Sequence, residues 1–230
     1  AMNKLEYWYW LSLFSGAYFY GQNAQCVDDI KNVGVFISGG GNMFSGLSSQ
    51  ILNVENFVTK DILLREDDGA GTKYEKTITE PKSIKSALMQ FILSRNPSDF
   101  VKPEPGKTEV KLSAWAASIG DPELEIHHII PLAEATSMGE SSKSLRNETN
   151  SIMNSSLNLS YISKHANRNL SSTSPSEYVK VIHDMASATN FLPNAEMFNQ
   201  VLIDKDYKKV LEQRYTLLES GIKNYIVTLI

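Results

Sequence analysis

Two histidines stand side by side at positions 127 and 128, inside ELEIHHIIPL (123–132), and they are half of the four in the chain. An imidazole titrates near neutrality and also ligates metals, so such a pair could take a proton from water with one ring and hold a cation with the other. The plainer alternative is a strand, where neighbouring side chains face opposite sides and one ring enters the core while the other meets solvent. Glu125 precedes the pair and Pro131 closes it, and both readings stay open on this segment alone. A second group lies downstream in NLSYISKHANRNL (158–170), where Asn158 precedes a β-prone piece (Leu159, Tyr161, Ile162) and Asn167 follows nine positions later. An asparagine amide can tie two loops together, and its carbonyl oxygen can bind a hard divalent cation. The stretch is rich in asparagine, so each one alone also reads as an ordinary loop residue.

Taken in order, EIHHIIP, Asn158 and Asn167 resemble the HNH, or ββα-metal, nucleases. In that family a strand bears Asp-His or His-His and then a proline, a second strand is opened by asparagine, and a helix supplies the last His or Asn. The nine-residue step between the asparagines is similar to that of CRISPR-effector HNH domains. The longer run IHHIIPL…NSSLNLSYISKHANRNLSSTSPSEYV resembles the C-terminal nuclease half of GmrSD-type, modification-dependent restriction enzymes. WYWLSLFSGAYFYG upstream and LEQRYTLL near the end are similar to their helical lead-in and ending, so the likeness is dense only from 125 to 179.

The resemblance implies roles. His128 would be the general base that activates water, His127 and Asn167 would hold the metal, and Asn158 would brace the loop carrying His128. Mg²⁺ or Mn²⁺ is the implied cation, and an imidazole–amide set also tolerates Ni²⁺ or Zn²⁺. His127 stands where many relatives carry aspartate, which lowers the negative charge around the metal. His165 and Arg168 are candidate phosphate contacts, while a solvated surface is the other reading of each. His183, inside a capped helical pattern, reads as structural. Full-length GmrSD-type proteins also carry an N-terminal ParB-like domain with an Asp-Gly-Gln-Gln-Arg signature, which does not occur in these 230 residues. Ala1 before Met2 reads as a residue added for expression, so the chain is expected to be the C-terminal piece of a longer protein, with such a domain as its missing partner.

Composition sets bounds on these readings. The chain is 42% hydrophobic and 21% charged with a formal net charge of −4, so DNA binding would need a local basic groove rather than a bulk basic surface. Cys26 is alone, which excludes an intramolecular disulfide and a cysteine zinc site and fits a reducing, cytoplasmic setting. No run of about 18 apolar residues exists to span a bilayer, and the N-terminus lacks the pattern of a cleavable signal.

The elements that must position these residues are helical first and mixed later. Tyr7, Trp10, Leu11, Phe14 and Tyr18 recur at helical spacing, and apolar residues on the other faces predict burial. A second helix is expected to end at Gly34, FISGGGN reads as a loop rather than a phosphate cradle, and further helical patterns cover 47–65 and 82–95. KPEPG (102–106) is the strongest linker signal. Extended pieces follow (TEVKL, LEIHHII), then a Ser/Asn-rich stretch over 136–174. SPSEYVKVI carries a capping box through Ser174, Pro175 and Glu177, and a long terminal helix begins near 205.

The expected fold is therefore α+β: a helical lead-in over 1–106, then a small ββα-metal core with C-terminal helices over 107–230, the two packing as one unit or separately. The expected function is a metal-dependent DNA endonuclease in restriction or anti-phage defence, away from membranes. A non-catalytic or partner-dependent DNA-binding or assembly module on the same fold is the alternative.

Overall fold

The computed structural model describes residues 1–14, 22–40, 82–103, 105–106, 108–135, 141–147, 151–171 and 184–229, with single positions at 173, 177, 180 and 182. The helical expectations for 47–65 and for Ser174–Pro175, as well as Tyr18 and His183, lie outside those residues. The described chain is mostly helical with a small two-stranded antiparallel sheet, an α+β arrangement. Among the described residues no helix is long and apolar enough to cross a membrane.

Two compact units divide the described residues. One comprises 1–14, 22–40, 82–87 and 219–229, and the other 88–218. The KPEPG segment lies inside the second unit.

In the first unit, α1 (Met2–Phe14) buries Trp10, Leu11 and Phe14, with the Trp10 and Phe14 rings stacked at 6.0 Å. Helix α2 (Gln22–Ile37) runs on past Gly34, where the sequence predicts a stop. A mid-helix glycine weakens a helix by only about 1 kcal/mol, and tertiary contacts hold the last turn: Lys4 Nζ donates to the Phe36 carbonyl at 3.1 Å and sits 4.2 Å over the Phe36 ring. The true stop is Gly39, at φ +87°, a left-handed conformation that glycine adopts without steric penalty.

Helix α3 (Lys82–Ser94) covers the predicted 82–95 pattern, and its later residues, Leu88 through Leu93, supply apolar side chains to the second unit's core. The short helix α4 (Ala114–Ile119) is capped by Ser113, whose hydroxyl accepts from the Ala116 N–H, and it ends at Gly120 with φ +71°. Strand β1 (Leu124–His128) then pairs with β2 (Leu159–Ser163) in a regular register, Leu124 opposite Ser163 through His128 opposite Leu159. Helices α5 (Leu132–Ala135) and α6 (Ser142–Asn147) and two 3-10 turns (Ile152–Asn154, Ser156–Asn158) lie between the strands in sequence. Helix α7 (Lys164–Ser171) follows β2 directly. Helices α8 (Asp184–Thr189), α9 (Ala195–Asp204) and α10 (Tyr207–Val227) complete the described chain. Phe100, Leu112, Ile129, Ile130, Leu157 and Ile162 form the buried core around the sheet.

Candidate functional site

Strand β1 places the histidine pair at its C-terminal end. Because the register with β2 is unbroken, the pleat turns Glu125 and His127 to one face and His128 to the other. Each ring has its own partner. His127 Nδ1 lies 2.9 Å from Asn167 Oδ1 on α7, and the ring meets Phe100 edge-on at 6.1 Å. His128 Nε2 lies 3.2 Å from Asn154 Oδ1 in the first 3-10 turn.

Asn167 reaches His127 because the β2–α7 junction fixes the start of the helix. Ser163 ends β2 and caps α7, its hydroxyl accepting from the Ala166 N–H at 3.0 Å. The same hydroxyl donates to the buried Asp99 carboxylate, which also accepts from the Ser163 N–H at 3.1 Å. Ala166 and Leu170 face the core, and Asn167 is turned toward β1. There its Nδ2 donates to Glu125, so the amide is held by an acceptor at one end and by an imidazole at the other. A carboxylate only accepts, so the Asn167 oxygen faces His127, and the ring carries its proton on Nδ1 in this arrangement.

Burial, more than the neighbouring His128 ring, lowers the His127 value from 6.5 to about 4, with the Asn167 bond opposing the shift. The ring is therefore neutral at neutral pH, the form that ligates a metal.

Asn158 occupies a different place. It is fully buried, and its Oδ1 accepts from the Ile130 N–H at 2.8 Å while its Nδ2 donates to the Ile130 carbonyl at 3.2 Å and the Met153 carbonyl at 2.8 Å. Its own carbonyl accepts from the Ile129 N–H at 2.8 Å. These bonds clamp the chain just after His128 and end the strand there, so Ile129 and Ile130 leave the ladder that LEIHHII suggests. The side chain holds backbone and does not reach either histidine through a hydrogen bond.

The remaining sequence candidates stand apart from the Asn167–His127 pair. His165 is exposed, and its Nε2 bonds Asn169 Nδ2 at 3.1 Å one turn along the same helix. Two residues on a helix are about 200° apart, so His165 and Asn167 occupy nearly opposite faces of α7. Arg168 is exposed as well. Glu125 and Asn154, by contrast, touch the site residues directly and were missed in the sequence. The two-residue step from Glu125 to His127 on one strand face is the signal that could have found the first; nothing local marks the second.

Among the described residues, no group of three or more His, Cys, Asp or Glu side chains could hold a metal ion. The donors that do converge are one imidazole (His127), one amide (Asn167) and one carboxylate (Glu125). Two ligands at right angles on an octahedral ion with bonds of about 2.1 Å would lie about 3 Å apart, and the His127–Asn167 separation is 2.9 Å. The pair would thus suit adjacent positions on a small divalent cation, provided that the proton of the neutral ring moves from Nδ1 to Nε2 so that Nδ1 presents its lone pair.

The chain is 26% identical over 179 residues to an uncharacterized protein of Methanocaldococcus jannaschii, an alignment covering 78% of this chain and 25% of that protein. The chain spans about a quarter of the length of this relative. No protein-family model matches the chain, and no solved structure matches it.

Proposed function

We propose that this chain is an HNH-type, metal-dependent DNA endonuclease module that hydrolyses phosphodiester bonds in restriction or defence against foreign DNA. The observation that carries the reading is the 2.9 Å approach of His127 and Asn167, 40 positions apart, on β1 and on the helix α7 that directly follows its partner strand β2. His127 and Asn167 would hold Mg²⁺ or Mn²⁺, with Ni²⁺ or Zn²⁺ as softer alternatives, and Glu125 would orient Asn167. When bound, such a cation would supply charge stabilisation to the phosphoryl group under attack. His128 would take the proton of the attacking water, and Asn158 would keep the strand end where His128 needs it. Arg168 is a candidate for phosphate contact on the exposed side of α7.

The test is plasmid cleavage with Mg²⁺ or Mn²⁺, on modified and unmodified DNA, by the wild type and by His128→Ala. Loss of a general base is expected to lower the rate by about 10²–10⁴-fold. Equal nicking by both proteins removes His128 from the mechanism. No cleavage with any of these metals, together with no metal-dependent rise in melting temperature, overturns the reading.

A second reading is a non-catalytic or partner-dependent DNA-binding or assembly module. It is favoured by one observation, the pleat that turns His127 and His128 to opposite faces. Salt-dependent DNA binding without metal-linked cleavage would select it.

A further inference from the structure

We infer that Asp99 is a positioning residue for the His127–Asn167 pair, acting on Asn167 through the start of α7 and on His127 through Phe100. Asp99 is buried in the segment after α3, where its own N–H donates to the Val110 carbonyl at 2.9 Å. Its Oδ1 accepts from the Phe100 N–H at 2.9 Å and from the Ser163 N–H at 3.1 Å, and its Oδ2 accepts from the Ser163 hydroxyl. One carboxylate thereby joins two stretches of chain 64 positions apart.

The first arm runs to Asn167. A hydroxyl has a single proton and a carboxylate only accepts, so the Ser163 proton points at Asp99. The lone pairs of that oxygen are then turned to the Ala166 N–H, and this bond caps α7. A cap fixes the direction in which the first helical turn leaves the strand, and Asn167 closes that turn. The second arm runs to His127. Phe100 is fully buried and its ring meets the His127 ring edge-on at 6.1 Å, so the main chain held at Asp99 sets a wall against which the imidazole rests. Movement of the carboxylate would shift helix and wall together. The consequence for a cation rests on the nuclease reading above; the positioning itself does not.

The test uses the full chain and two variants that disturb the first arm differently. Asp99→Asn keeps the shape but offers one accepting oxygen where the donors occupy two, whereas Ser163→Ala removes the hydroxyl and leaves the carboxylate charge in place. In the metal-free wild type, nuclear Overhauser contacts are expected from the His127 ring to the Asn167 side-chain amide and to the Phe100 ring. In both variants the His127–Asn167 contact is expected to weaken while circular dichroism still reports a folded chain. Titration with Mn²⁺ is expected to show binding about 10–100-fold weaker in both, the usual effect of losing a group that orients a ligand. Absence of the contacts in the wild type, or full retention of the His127–Asn167 contact in either folded variant, overturns the inference. Weaker Mn²⁺ binding in Asp99→Asn alone assigns the effect to lost charge and overturns it too. Should one variant not fold, the other decides; should neither fold, Phe100→Leu cuts the second arm instead, and an unchanged His127–Asn167 contact is fatal. A wild type that shows the contacts but binds no Mn²⁺ sinks the nuclease reading and leaves the positioning to be decided by the contacts.

Discussion

At the residue scale, His127 ties chemistry to stability. Folding lowers its value from 6.5 to about 4, chiefly through burial. Between those two values the unfolded chain holds a proton that the folded chain does not, so stability rises with pH across the window. The contribution is fully present above pH 6.5 and is lost as pH falls toward 4. At 1.36 kcal/mol per unit it amounts to at most about 3 kcal/mol, less any relief from the ring's partial exposure. Urea denaturation from pH 7 to 4 should show this slope, and His127→Asn should flatten it; equal slopes would mean that the ring is not buried as described. The histidine pair and the two asparagines were legible because their types are rare or their spacing distinctive. Glu125 shows only as a two-residue step from His127 on one strand face, and Asn154, an asparagine in an asparagine-rich loop, acquires meaning only from what folds against it.

At the scale of elements, the site depends on one junction. Ser163 ends β2, caps α7 and bonds Asp99, so three backbone or side-chain groups converge on one hydroxymethyl group and one carboxylate. Removing an N-cap destabilises by about 1 kcal/mol, and removing a hydrogen bond to a charged group by about 1.5–3 kcal/mol. Ser163→Ala is therefore expected to lose about 2–4 kcal/mol in chemical denaturation. Asp99→Asn should couple to it, with the double variant less destabilised than the sum of the two by about 1 kcal/mol or more; strict additivity would show that the bond contributes nothing. The elements themselves followed from pattern where that pattern was local: α1, α3, α10 and both strands fall where apolar spacing predicts. Helix α2 outran its prediction because Gly34 and Gly39 look alike in sequence, and only the Lys4 contact with Phe36 and the left-handed turn at Gly39 distinguish them.

At the scale of the whole molecule, a residue from the C-terminal helix fastens the 3-10 turn that carries Asn158 and the start of β2. Arg214 is fully buried, and its Nη1 donates to the carbonyls of Leu157 at 2.7 Å, Leu159 at 2.8 Å and Ser156 at 3.2 Å, while Nη2 reaches the Asn190 carbonyl at 3.3 Å. Nothing nearby in the chain announces the four carbonyls, which lie 24 to 58 positions away. A guanidinium serves several acceptors in a fixed fork, and a lysine ammonium on a different stem does not. Arg214→Lys should therefore destabilise the protein by about 3 kcal/mol or more, since buried carbonyls lose their donors. A shift in urea midpoint worth less than 1 kcal/mol would refute that account. Asn190 extends the same network, accepting from Ser160 at 3.0 Å and donating to the Ser98 carbonyl at 2.9 Å, so the strand facing β1 is tied to chain on both sides of it in sequence.

The clamp between Asn158 and Ile130 joins positions 28 apart, and its bonds close a ring of chain whose two ends are also paired as strands. The entropy of closing such a ring grows only with the logarithm of its size, about 0.6 kcal/mol for each doubling. The register of β1 and β2 is thereby insulated from the length of what lies between them. Residues can be gained or lost in that excursion at little thermodynamic penalty, provided the turn bearing Asn154 still returns to His128. The ring is where this fold can diversify in length while its paired ends keep their place.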